Sequence, residues 1–153
     1  MPGTGEHQWE ELPGKAPTCT EPGYEPGKKY PGFIEVHGGP RANYGRELML
    51  DLQWIASEGY FVFYCNPRGS SARGDDFACI TGKYGIWDYQ DIMEFTDKVI
   101  EKYPDLDADR LGIGGSSYGG YMSNWVIGHT DRFKAAVPQC SISSWITMYG
   151  CSD

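Results

Sequence analysis

Residues Arg110 to Asn124 read RLGIGGSSYGGYMSN. The first five have the composition of a short apolar strand. From Tyr118 onward the apolar residues Tyr121, Met122, Trp125 and Val126 recur at helical spacing. Between the two, Gly115-Ser116-Ser117-Tyr118-Gly119 fits G-x-S-x-G, so the stretch predicts a strand, a sharp turn and a helix: a nucleophile elbow. Such a turn leaves almost no room for a side chain two residues before or after the serine. It also strains the serine backbone and raises its hydroxyl above the sheet. The next N–H and the positive end of the helix then face the place where an oxyanion forms. This alignment makes Ser117 the candidate nucleophile and Tyr118 a candidate oxyanion-hole N–H donor. Centring the motif on Ser116 fails, because Tyr118 would then stand at the second glycine position. Gly-rich strand-to-helix turns also cradle phosphates or simply turn the chain. The phosphate reading is weakened here by the lack of a following lysine and of G-x-G-x-x-G.

Upstream, Tyr30 to Val36 reads as a strand that runs into His37-Gly38-Gly39-Pro40. Glycines directly after a strand let a backbone N–H approach a ligand closely. The segment serves equally as a plain turn, but beside an elbow it suits a second oxyanion donor. Glu35 is unusual in a central strand; a satisfied buried carboxylate is favoured over catalysis. Arg46 to Ser57 is expected to be helical, with Leu48, Leu52 and Ile55 on one face and Gly59 as C-cap. Tyr60 to Cys65 (YFVFYC) is a continuous β-prone run, suited to a parallel strand buried on both faces. The loop Asn66-Pro67-Arg68-Gly69-Ser70-Ser71 follows at its C-terminal end, where open α/β sheets bind ligands. Arg68 either pins this loop to a nearby Asp, the favoured reading, or holds a substrate carboxylate. Asp88 to Tyr103 predicts a second long helix burying Ile92, Phe95, Val99, Ile100 and Tyr103. Asp88 is read as its N-cap and Asp91 as first-turn charge, an assignment favoured over a catalytic carboxylate pair. Pro104 to Asp109 is an acidic turn, and Phe133 to Val137 a last short strand before an aromatic segment around Trp145 and Tyr149. The alternation of strands and helices implies right-handed crossovers and a mainly parallel sheet.

In bulk, the 153 residues carry a net charge of −8, with 40% hydrophobic and 14% aromatic content. That composition supports a packed core and argues against non-specific nucleic-acid binding, which needs a basic face. No run reaches transmembrane length, and no signal peptide is visible, so no membrane association and a cytoplasmic location are expected. Five cysteines without C-x-x-C spacing suggest buried thiols in a reducing compartment, with no zinc site and no disulfide framework. Residues 1–29 are rich in Pro, Gly, Glu and Lys and read as an irregular arm. His7 and Trp9 within it carry little functional weight.

Taken together, YEPGKKYP (24–31), HGGP (37–40), NPRGSS (66–71), GGSSYGGYMSNW (114–125), HTDRFKAAV (129–137) and MYGCSD (148–153) resemble the catalytic domain of the prolyl oligopeptidase family of serine peptidases. The likeness is strongest to its acylaminoacyl-peptidase and dipeptidyl-peptidase-like branch. The resemblance implies a partial α/β-hydrolase fold, with a mainly parallel sheet and helices on both faces. It implies hydrolysis of short peptides through an acyl-enzyme on Ser117, with Tyr118 and Gly39 as the two oxyanion-hole donors and no cofactor or metal. It also implies a strand order that puts Gly32 to Val36 between Tyr60 to Cys65 and the elbow strand, with the last strand outside. That order fits the physics, since H-G-G-P and the elbow must adjoin to share one oxyanion. Ala72-Arg73-Gly74 departs from the family's Gly-Tyr-Gly and puts that loop's contacts in doubt.

The family's triad Asp and His follow the nucleophile. Residues 30–153 are therefore expected to be the N-terminal portion of a catalytic domain, incomplete at its C-terminus and inactive alone. No histidine of this sequence fits the role of base. His129 lies twelve residues beyond Ser117, roughly 18 Å along a helix. His37 suits ordering of the oxyanion loop better than proton transfer. The expected partner is a peptide substrate, and an exposed sheet edge is expected to promote self-association. Two other functions remain open: a carboxylesterase-type hydrolase on the same fold, and a non-catalytic module that binds through the sheet edge.

Overall fold

The computed structural model describes residues 24–45, 47–71 and 73–152. Most of the expected N-terminal arm, with His7, Trp9 and Cys19, lies outside these residues, as do Arg46, Ala72 and Asp153. The described end of the arm is irregular but tethered: the Gly27 N–H donates to Asp105 (3.1 Å) and Lys29 Nζ to the Pro104 carbonyl (2.6 Å).

Four parallel strands form one sheet in the order β2-β1-β3-β4, with β1 at Tyr30–Val36, β2 at Phe61–Tyr64, β3 at Leu106–Ser116 and β4 at Ala135–Gln139. This is the order that the family resemblance implies, and the pairing of β1 with β3 meets the need for H-G-G-P and the elbow to adjoin. Among the described residues five helices accompany the strands: α1 (Leu50–Ser57), α2 (Asp75–Ala78), α3 (Trp87–Lys102), α4 (Tyr118–Ile127) and α5 (Trp145–Cys151). Successive side chains of a strand point to opposite faces, and β2 shows what covers each. Phe61 and Phe63 join the main core, which holds Ile34, Val36 and Ile113 from the strands, Ile92 and Val99 from α3, and Met122 and Val126 from α4. Val62 instead packs with Leu52 and Ala56 of α1 on the other face. Helices thus lie on both faces, and the uninterrupted apolar run of β2 follows from that.

Three elements differ from the sequence reading by more than one residue, each for a local reason. The first helix starts at Leu50 rather than Arg46, because Met49 is extended and offers no side-chain cap; Leu48 is 73% exposed instead of facing the core. β3 begins earlier than expected, at Leu106. Its pairing with β1 jumps from Tyr30↔Leu106 to Gly32↔Leu111, so the acidic segment 107–110 bulges out, closed by an Arg110–Asp107 ion pair (2.7 Å). The last strand is Ala135–Gln139, two residues later than expected, because Phe133 is drawn into the core as a buried anchor before the strand begins. The aromatic segment that follows forms α5, capped by Ser144, whose Oγ accepts from the Thr147 N–H (3.2 Å). Among the described residues no helix is long and apolar enough to cross a membrane.

Candidate active site

Ser117 sits between the end of β3 and the start of α4 with φ 59° and ψ −116°, a left-handed conformation that a non-glycine residue adopts only under constraint. The constraint is visible in its neighbours. A Cβ added to Gly115 would lie 2.2 Å from the Val36 carbonyl oxygen, and one added to Gly119 would lie 2.0 Å from the same atom. Two glycines are therefore required not only by the turn but also by the backbone of β1 pressing into it. From the far side the Ser117 N–H donates to the Gln139 carbonyl of β4 (2.9 Å). Held between β1 and β4, Ser117 is exposed.

Tyr118 is the first residue of α4, so its N–H has no acceptor within the helix. Its side chain is fully buried, and its hydroxyl donates to Asp88 in the first turn of α3. This corrects the expected N-cap role of Asp88. The cap position is Ile86, and Asp88 is wholly buried as acceptor of Tyr118 and of the Tyr89 N–H (2.9 Å). Burial raises the Asp88 pKa, opposed by these hydrogen bonds; burial and the nearby Asp88 charge also push the Tyr118 hydroxyl up, so it stays a donor. Asp91, read from sequence as first-turn charge, is likewise buried. It accepts from the Arg68 backbone N–H (2.7 Å) and from the Arg68 guanidinium (2.6 Å). Arg68 is thus the loop pin favoured by its position.

The H-G-G-P segment lies beside the elbow. A Cβ on Gly38 would stand 3.6 Å from Ser117 Cβ. Gly39 is exposed with φ 119°, and its N–H has no hydrogen-bond acceptor among the described residues. His37 is buried, and both ring nitrogens are engaged away from Ser117. Nδ1 contacts the Gly38 carbonyl (2.7 Å), which can only accept, so Nδ1 carries the proton. Nε2 then accepts from the Ser70 hydroxyl (2.8 Å). Burial lowers the His37 pKa, which favours this neutral form. His129 is exposed at the far end of α4, bonded through Nδ1 to the Trp125 carbonyl (2.7 Å) and stacked on that indole. Neither described histidine is hydrogen-bonded to Ser117. Glu35 is half-buried, and burial pushes it up to about 7, with a hydrogen bond from Tyr44 opposing; the satisfied carboxylate is what the structure contains. Among the described residues no group of three or more His, Cys, Asp or Glu side chains is gathered as metal ligands.

The structure brings Ser117, Tyr118 and the Gly38-Gly39 turn together. Sequence reasoning missed the groups that hold them: Asp88 behind Tyr118, Ser70 behind His37, and Asn66, whose side chain bonds the Tyr44 backbone. Their one sequence signal is position, Asn66 and Ser70 in the loop that follows β2 and Asp88 in the first turn of α3.

Comparison with known proteins gives a consistent picture. Residues 46–153 match the family described as the prolyl oligopeptidase family. An uncharacterised peptidase, YuxL of Bacillus subtilis, is 48% identical over 81% of this chain, and dipeptidyl-peptidase 5 of Porphyromonas gingivalis is 31% identical over 86%. The chain spans 19% and 20% of those two relatives, about a fifth of their length. Among solved structures, an acylaminoacyl peptidase in complex with Z-Gly-Gly-Phe-chloromethyl ketone superposes with a TM-score of 0.83 at 41% identity over 87% of this chain and 22% of its own. The acylaminoacyl peptidase of Pyrococcus horikoshii gives 0.82 at 40% identity, with the same coverage.

Proposed function

The chain belongs to the prolyl oligopeptidase family, and on that premise we propose that it carries the nucleophile and the oxyanion hole of a serine peptidase acting on short peptides. Ser117 Oγ attacks the scissile carbonyl carbon while its proton passes to a base. The carbonyl oxygen becomes an oxyanion held by the Tyr118 and Gly39 N–H groups. Collapse breaks the C–N bond, the amine leaves with the proton, and water later hydrolyses the acyl-enzyme. The observation that carries this reading is the strained, exposed Ser117 at the head of α4, directly beside the H-G-G-P turn. Neither His37 nor His129 is placed to take the proton, so the base comes from outside residues 24–152. Oxyanion stabilisation without a base leaves about 10³ to 10⁴-fold acceleration over water, so residues 1–153 alone should show only trace hydrolysis of activated esters. That the relatives are named as peptidases supports peptides rather than simple esters as substrates of this chain. A cytoplasmic setting rests on the sequence composition alone, since Cys79, Cys140 and Cys151 are exposed rather than buried as expected; self-association is supported by the open edge of β4 beside exposed Val137.

The deciding experiment compares the full-length protein with its Ser117→Ala variant on aminoacyl anilides and on simple esters, with fluorophosphonate labelling in parallel. We expect labelling to vanish and kcat on the anilides to fall by at least about 10⁴-fold. Retained labelling and turnover in Ser117→Ala would overturn the assignment. Turnover of esters alone would move the protein to the carboxylesterases.

A further inference from the structure

The loop that carries Gly39 has no regular secondary structure, yet an oxyanion donor must be placed to within a few tenths of an ångström. A second loop, residues 66–71 after β2, supplies what holds it. At the far end of the Gly39 loop, Asn66 brackets the backbone of Tyr44: the Tyr44 N–H donates to Oδ1 (2.8 Å) and Nδ2 donates to the Tyr44 carbonyl (2.9 Å). At the near end, fully buried Ser70 donates to His37 Nε2 (2.8 Å), and His37 Nδ1 closes on the Gly38 carbonyl next to Gly39. Between these, the Ser71 N–H donates to the Ala42 carbonyl (2.9 Å). The clamp is itself fixed from behind, because Arg68 in its middle is bound to buried Asp91 of α3. A continuous path of hydrogen bonds, charge-assisted at Arg68–Asp91 and buried at Ser70–His37, thus runs from α3 through residues 66–71 to both ends of the segment 37–44.

We propose that Asn66 and Ser70 are positioning residues of the hydrolytic site: by gripping residues 37–44 at both ends they set the Gly39 N–H at its working distance from the oxyanion formed on Ser117. The proposal rests on the reading of Ser117 as nucleophile and Gly39 as donor. Neither Asn66 nor Ser70 touches the substrate in this scheme. Their removal therefore leaves substrate binding largely intact and weakens the hold on the tetrahedral intermediate.

The test uses Asn66→Ala, Asn66→Asp and Ser70→Ala in the full-length protein. It measures kcat and KM on an aminoacyl anilide, inhibition by a peptidyl trifluoromethyl ketone as tetrahedral mimic, and Tm. Misplacing a reacting group by about 1 Å costs on the order of 100-fold, so Asn66→Ala and Ser70→Ala should each lower kcat about 10- to 100-fold with KM within about threefold. Affinity for the ketone should fall in parallel with kcat. Asn66→Asp, which keeps the acceptor for the Tyr44 N–H, should recover part of the loss. Should Asn66→Ala fail to fold, Asn66→Asp and Ser70→Ala decide in its place. Folded variants with kcat and ketone affinity within twofold of the parent overturn the proposal. So does a kcat loss with unchanged ketone affinity, since the defect would then lie outside the oxyanion hole. Activity that survives Ser117→Ala removes the hydrolytic reading itself; activity lost in Ser117→Ala yet untouched by the three variants removes only the positioning role.

Discussion

The elbow and the segment 37–44 lie side by side and are held by opposite means. At the elbow the contacts are backbone against backbone. Gly115 and Gly119 admit the Val36 carbonyl, and Gln139 of β4 accepts the Ser117 N–H. In the segment 37–44 the contacts are mostly made by polar side chains, Ser70 to His37, Asn66 to Tyr44 and Tyr44 to Glu35, with one backbone bond from Ser71 to Ala42. The first kind of contact cannot yield, because no rotamer relieves a backbone clash. The second can be loosened one hydrogen bond at a time, each worth about 0.5 to 1.5 kcal/mol net. The nucleophile is thus set by the sheet itself, while the loop opposite it is set by a handful of separable tethers. That difference predicts how the two regions respond to substitution.

The largest effect is expected at Gly119. A Cβ there would lie 2.0 Å from the Val36 oxygen and 2.9 Å from the Val36 carbonyl carbon, so strand and helix must separate. Overpacking of this kind costs upwards of about 3 kcal/mol, and displacement of the serine should lower kcat more than about 100-fold. Thermal melting and turnover of Gly119→Ala in the full-length protein check both. A variant that melts and turns over like the parent would break the distinction, because it would show that the elbow also yields.

A smaller, pH-dependent effect is expected at Glu35, beneath the segment 37–44. Tyr44 bonds its carboxylate and packs edge-on against His37 with ring centroids 5.4 Å apart. Burial first, and then the charge of Asp51, push Glu35 from 4.5 up to about 7. Its folded-state value lies above the unfolded one, so between these values the folded state binds more protons. Stability from the protonated group is therefore complete below about 4.5, falls as pH rises and is gone above about 7. Glu35→Gln stays neutral and keeps an oxygen for Tyr44. It should leave Tm unchanged near pH 4 and stabilise the protein by about 1 to 3 kcal/mol at pH 8. Equal Tm differences at both pH values would show that Glu35 does not titrate in this range.

The same division explains what was legible in the sequence. The elbow could be read residue by residue, because a backbone clash dictates glycine and a dictated glycine leaves a motif. The strand order came with the family resemblance, and the meeting of the two loops accounts for β1 lying beside β3. The tethers could not. Asp88 was read as a helix cap because an Asp before an amphipathic run fits that role, and its real partner, Tyr118, lies 30 residues away. Asn66 and Ser70 stood in a segment marked as ligand-binding, yet nothing in their spacing pointed to Tyr44 and His37. The start of α1 and the position of β4 were missed for a related reason: Leu48 and Phe133 are apolar, and only the fold decides which of them is buried.

The smallest effect is expected at Gly38, and it separates the two regions most sharply. Gly38 belongs to the same pair of glycines as Gly39, but its backbone is outside the left-handed region. A Cβ there would meet the Ser116 carbonyl at 3.4 Å and Ser117 Cβ at 3.6 Å, which is ordinary contact. At Gly39, by contrast, φ is 119° and a Cβ would stand 2.7 Å from the Arg41 nitrogen. Gly38→Ala should therefore fold with parental or slightly raised stability, up to about 1 kcal/mol, because the unfolded chain loses freedom that the folded one does not use. The added methyl touches the Cβ of the nucleophile rather than its oxygen, so kcat should change less than about tenfold. Tm and kcat of Gly38→Ala beside those of Gly119→Ala give the comparison. A fall in Tm as large as that of Gly119→Ala would mean that this segment, like the elbow, is held by its backbone and not by its tethers.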